Sequence, residues 1–191
     1  ESVQVSPVRL RHGAERLIGR DAELQRLDDA WSATGAAKIN VLTIVAWGGV
    51  GKTALVTEWM NRLKADGWRG AKRVFDWSFY SQGTRDQGSA SAETFVAAAL
   101  RFFGDAAVAD SNASAWDKGS RLAELVTVER SLLLLDGLEP LPYPPGSLAG
   151  KLRDAALEAL LKRLARHNPA LCVVTSREVV TDLTPLQAST A

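Results

Sequence analysis

The sequence predicts a three-layer α/β domain, a parallel sheet with helices on both faces. Short, nearly all-apolar runs recur as "VLTIV" (41–45), "RVFDWSFY" (73–80), "SLLLLD" (131–136) and "LCVVTSRE" (171–178), as strands buried on both faces do. Stretches of helical periodicity separate them, the alternation expected of a parallel sheet. A glycine cluster follows the first run at once, where strand gives way to helix.

The elements follow in order. The chain opens "ESVQVSPVRL" without an initiator Met, so residues 1–16 are expected to be a linker from an upstream region of a longer protein. "GRDAELQRLDDAW" reads as an Asp21-capped amphipathic helix that buries Leu24, Leu27 and Trp31. After the first strand, "TALVTEWMNRLKADG" places Leu55, Val56, Trp59, Met60 and Leu63 at helical spacing, with Gly67 as the stop. The second strand leads through the polar loop "SQGTRDQGSAS" into a helix over "AETFVAAALRFFG". A further helix over "WDKGSRLAELVTVER" feeds into "SLLLLD", the most apolar run of the chain. The turn-rich "GLEPLPYPPG" then precedes a helix over "LAGKLRDAALEALLKRLARH", and "LCVVTSRE" supplies the last strand. Four strands are therefore expected in one domain spanning residues 17–178, with 179–191 as a tail.

Composition narrows the class. Lys and Arg number 23 against 22 Asp and Glu, so bulk charge offers no reason to expect nucleic acid or a membrane. The lone Cys172 excludes an internal disulfide and a Cys-rich zinc site, in keeping with a reducing cytoplasm. No apolar run approaches the roughly 20 residues that span a bilayer, and no signal-peptide pattern opens the chain. A soluble, cytoplasmic protein is expected.

The chemistry centres on "AWGGVGKTAL" (46–55). In a phosphate-binding loop, successive amides point inward at phosphate oxygens and the following helix adds its N-terminal dipole. Gly48, Gly49 and Gly51 allow the close approach, Lys52 reaches the outer phosphates, and the Thr53 hydroxyl holds Mg²⁺. The loop backbone, including Val50 and Ala54, completes the cradle. Ala46 stands where such a loop usually opens with glycine; it falls at the strand junction, where alanine's backbone range suffices. "SLLLLDGLE" supplies the acidic partner: Asp136 for the metal, and Glu139 either to polarise an attacking water or to sit as a solvated loop residue. "VVTSR" brings Thr175, Ser176 and Arg177 to the strand edge where ligands of open α/β sheets collect. Arg177 either neutralises the terminal phosphate or is a surface arginine.

These motifs together resemble the STAND class of P-loop NTPases, within it the NB-ARC-like signalling ATPases of apoptosome, plant resistance and bacterial defence proteins. "LIGRDAELQRLDDAW" is similar to the family's GR-x-x-E-L segment, "GGVGKTAL" to its Walker A loop, "LLLLDGLE" to its Walker B strand and "VVTSRE" to its sensor strand. The resemblance implies an ASCE-type P-loop fold, bound ATP or ADP with Mg²⁺, and Ile18, Gly19 and Arg20 on the adenine and ribose side. It also implies slow ATPase activity and a switch that self-associates to activate an attached effector, in bacterial defence or signalling. Helical and winged-helix subdomains would lie beyond the chain. Two residues depart from the pattern: Ala46, and Gly137 in place of a second acidic residue. Two other readings stay open, a nucleotide-gated assembly module without hydrolysis and a DNA-acting AAA-like ATPase.

Trp77, Phe79 and Tyr80, beside a loop carrying Arg85, read as alternating faces of the second strand, with stacking of single-stranded nucleic acid as the alternative. Trp47 is expected to pack beside the sheet end. His12, His167 and Cys172 form no ligand or nucleophile set.

Overall fold

The computed structural model describes residues 2–6, 19–81, 88–139, 151–152 and 154–181. Its strands are β1 (Gln4–Val5), β2 (Val41–Val45), β3 (Arg73–Ser78), β4 (Ser131–Asp136) and β5 (Leu171–Ser176). The helices are α1 (Asp21–Ser32), α2 (Lys52–Ala65), α3 (Gly88–Phe103), α4 (Ala106–Asp110), α5 (Ala115–Val126) and α6 (Ala155–Arg166). All strand pairs are parallel, in the order β1-β3-β4-β5-β2.

The order explains the sequence of β4. As the middle strand it is covered on both faces, and its six residues are all buried. Leu133 and Leu135 join Phe75, Trp77, Cys172 and Val174 on the face covered by α3, α5 and α6. Leu132 and Leu134 join Leu42, Val74 and Val173 on the face covered by α1 and α2. Truncating one of these leucines, as in Leu134→Ala, is expected to cost about 2–5 kcal/mol.

Four strands were expected and a fifth is present. Gln4 and Val5 add to the outer edge of β3, in register with Arg73 and Val74. Ser6 fixes the addition, its hydroxyl donating to the buried Asp76 carboxylate at 3.0 Å. Two exposed residues carry no apolar run, so periodicity did not announce this strand.

Helix ends differ from expectation where capping decides them. Asp21 does not cap α1; it is the first helical residue, and Arg20 occupies the cap without a side-chain hydrogen bond. The last helix was expected from Leu148, yet α6 begins at Ala155, where the Asp154 carboxylate accepts from the amides of Ala156 and Leu157. That is a side-chain N-cap. Ser114 caps α5 in the same way through Asp117 N–H. Where α5 meets α6 the backbones touch: a Cβ on Gly119 would fall 2.1 Å from the Ala156 carbonyl oxygen.

Candidate nucleotide site

β2 hands directly into the glycine loop. The Ala46 amide donates to Ser176 O at 3.2 Å, continuing the strand pairing by one residue. Positive φ among described non-glycine residues occurs only at Trp68 and Arg69. Ala46 therefore needs no glycine conformation. Gly49 and Gly51 do need one, at φ 82° and 88°, and Gly51 starts α2 in the left-handed region. Apart from each glycine's chain neighbours, nothing lies within 4 Å of where a Cβ would stand at either position, so there is open space beside the loop at both.

Lys52 curls back across this loop. Its ammonium donates to the carbonyls of Ala46 and Trp47, and the residue is only 8% exposed. Burial lowers the Lys52 pKa, and Arg177 lowers it further, while the charges of Glu139 and Asp136 work in the opposite direction. An anion in the loop would favour the charged lysine again. A buried ammonium held only by carbonyl oxygens, at a helix N-terminus with an open cradle, fits a phosphate chain.

Behind the loop stands Asp136, 0% exposed at the end of β4. Thr53 Oγ1 lies 3.0 Å from both carboxylate oxygens. Thr175 Oγ1 donates to Oδ1 at 2.7 Å, and Ser78 Oγ reaches Oδ2 at 3.4 Å. The Thr175 hydroxyl also accepts from Gly137 N–H at 2.9 Å. Strand register causes this convergence, because Ser78 pairs with Asp136, and Leu135 with Val174, which sets Thr175 beside Asp136. A hydroxyl and a carboxylate side by side, facing a phosphate cradle, suit Mg²⁺, which takes one or two protein oxygens and fills its shell with phosphate and water. Bound there, Mg²⁺ would neutralise phosphate charge.

The outer end of the site is built differently. Glu139 is 34% exposed at its side chain. Its Oε1 accepts from Tyr80 O–H at 3.0 Å and its Oε2 from Arg177 N–H at 3.0 Å, with Arg177 Nε 3.7 Å from Oε1. The Arg177 guanidinium reaches over the loop, its Nε 3.4 Å from where a Gly48 Cβ would stand. Glu139 and Arg177 are thus brought to the loop mouth with Lys52.

Arg20 arrives from the other side. Trp31 of α1 meets Trp59 of α2 edge-on at 6.5 Å, and Trp59 Nε1 donates to Asp28 at 2.9 Å. This docking carries Arg20 to the loop, where Nη2 donates to Val50 O at 2.9 Å and Nη1 to Glu23 at 2.7 Å. Gly19 precedes it; Ile18, Arg85 and His12 lie outside the described residues.

Several expectations shift. Trp47 does not pack beside the sheet; it is 84% exposed, because the loop turns its side chain outward. Trp77 enters the core as expected, but the strand ends at Ser78 and not at Tyr80: Phe79, in the turn that follows, packs partly buried against the core, and Tyr80 lies over Gly137. A side chain at 137 has no room: its Cβ would fall 2.4 Å from the Tyr80 ring, at a φ of 73°. This accounts for the glycine at position 137. The sequence places Thr175 at the ligand edge without naming its partner and does not single out Ser78; strand register brings both hydroxyls to Asp136. Cys172 is buried in β5, and burial pushes its thiol up.

One strand, β5, is inserted between the loop-bearing β2 and the Asp136-bearing β4, and this ordering together with the loop makes the molecule a P-loop NTPase of the ASCE type. Among the described residues no helix is long and apolar enough to cross a membrane. Comparison narrows the class: the AAA ATPase domain family matches residues 16–175, and the chain belongs to it. Members bind nucleotide, ordinarily with Mg²⁺. Among solved structures, the Aeropyrum pernix Orc1 protein in complex with DNA is 21% identical over 91% of this chain and 43% of its own, with a TM-score of 0.52. A Pyrococcus horikoshii signal transduction ATPase with numerous domains, bearing a tetratricopeptide-repeat sensor, is 14% identical over 88% of this chain and 22% of its own, with a TM-score of 0.47. The likeness to the Orc1 protein is one of fold, and the chain spans less than half the length of either structure. No curated protein matches it.

Proposed function

We propose that this chain is the nucleotide-binding core of a STAND or NB-ARC-like signalling ATPase. It binds Mg²⁺·ATP or ADP, with Gly48 to Ala54 around the phosphates, Lys52 on the outer phosphates, Thr53 and Asp136 on the metal, and Gly19 and Arg20 toward the base and ribose. Glu139 polarises the attacking water and Arg177 meets the terminal phosphate. The observation that carries the reading is the convergence of Lys52, Thr53 and Asp136 at one helix start, with Arg177 reaching over the same loop. Support for the class comes from the order of the GR segment, the loop, "LLLLDGLE" and "VVTSRE". Hydrolysis is slow, and nucleotide exchange drives self-association that activates an attached effector, in bacterial defence or signalling.

Substituting Glu139→Gln tests the enzymatic half. It should lower turnover by about 10²-fold or more while ATP affinity stays within about twofold. Unchanged turnover would favour a nucleotide-gated assembly module instead. The fold shared with Orc1 keeps a second reading, a DNA-acting ATPase, which predicts turnover stimulated by DNA and a stimulation that falls steeply with salt.

A further inference from the structure

Tyr80 has no part in the chemistry above, yet it touches both residues at the outer end of the site. Its ring lies against the Arg177 guanidinium, with Cζ 5.3 Å from the ring centroid, within reach of a cation–π contact. Its hydroxyl donates to Glu139 Oε1, while Glu139 Oε2 accepts the Arg177 backbone N–H. Ring and carboxylate together seat the guanidinium over Gly48. The seat requires Gly137, since any Cβ there would collide with the Tyr80 ring at 2.4 Å. Burial, and then the Glu139 charge, push the phenol up to about 12, in keeping with a hydroxyl that is enclosed and donates to a carboxylate.

We propose that Tyr80 is the positioning residue for Arg177, holding its guanidinium over the phosphate loop so that the chain prefers a nucleoside triphosphate to a diphosphate. The proposal rests on the ATPase reading given above. Arg177 is 54% exposed at its side chain, and a long exposed side chain loses rotamer freedom when it grips a ligand. Seating it beforehand reduces that loss. Lys52 reaches the β-phosphate that both nucleotides carry as well as the terminal one, whereas Arg177 meets the terminal phosphate alone, so the benefit of a second, ordered cation falls on the triphosphate.

The test is equilibrium titration of Mg²⁺·ATP and Mg²⁺·ADP into the full chain, its Tyr80→Leu, Tyr80→Phe and Gly137→Ala variants, and Lys52→Ala. Tyr80→Leu and Gly137→Ala should weaken ATP binding at least fivefold on the order of 1 kcal/mol, with ADP affinity within about twofold. Tyr80→Phe keeps the ring and should lose only about two- to threefold for ATP. If Tyr80→Leu fails to fold, as read by its thermal melt, Tyr80→Phe decides. An unchanged ATP-to-ADP ratio in the folded Tyr80 variants overturns the positioning role alone, provided Lys52→Ala loses both nucleotides. A wild-type chain that binds neither nucleotide overturns the role and the ATPase reading together.

Discussion

Asp136 and Glu139 stand three residues apart at the end of one strand, yet they inhabit different halves of the site. Asp136 is fully buried and held by hydroxyls from α2, β3 and β5. Glu139 is partly exposed and held by Tyr80 and Arg177, from the ends of β3 and β5. The inner carboxylate is enclosed by hydroxyls that strand register brings together. The outer one is held by one backbone amide and by two side chains, Tyr80 and Arg177, that stand open to a ligand. An enclosed half and an open half share one strand end.

The largest expected effect falls on the inner half. Asp136 is a buried carboxylate whose direct partners are neutral hydroxyls, so a neutral, nearly isosteric amide removes the desolvation cost of the charge and offsets what the hydrogen bonds lose. Asp136→Asn should therefore weaken Mg²⁺-dependent ATP binding by about tenfold or more, roughly 1.4 kcal/mol, without lowering the thermal midpoint. A variant that both melts early and binds normally would break the division, because it would make Asp136 structural. Next comes Thr175, which joins Asp136 to the Gly137 amide. Thr175→Val leaves that buried N–H without its partner and should cost about 1–3 kcal/mol in denaturant unfolding, while Thr175→Ser should restore most of it.

The smallest effect sharpens the outer half. In the folded chain the Tyr80 phenol is raised from 10.0 to about 12, first by burial and then by Glu139. A raised pKa means the folded state holds its proton more tightly, so this contribution to stability is complete below pH 10 and is lost as pH climbs toward 12. Denaturation curves across that window should fall more steeply for the wild type than for Tyr80→Phe. Parallel curves would place Tyr80 outside the network.

What the sequence could reveal follows the same division. The loop, its lysine and threonine, and Asp136 were legible because each belongs to a local pattern: glycines and GKT after an apolar strand, an acid ending an apolar run. "VVTSR" also placed Thr175 and Arg177 at the ligand edge, but Tyr80 over Gly137, the bond of Thr175 to Asp136 and the seat of Arg177 above Gly48 were not legible. They depend on how three strands align, which no single segment encodes. The strand at Gln4–Val5 was missed for a related reason: it earns its place by edge pairing and the Ser6–Asp76 bond rather than by apolar periodicity. The start of α6 at Ala155 turned on one capping carboxylate, Asp154, which periodicity alone does not single out.

The central claim is that the open loop after β2 binds nucleotide phosphates through Lys52. Calorimetric titration of ATP and ADP, with Mg²⁺, into the wild-type chain and into Lys52→Ala tests it most directly. The account predicts saturable binding by the wild type and at least tenfold weaker binding by the variant, roughly 1.4 kcal/mol or more. Equal affinity in the two proteins would contradict it.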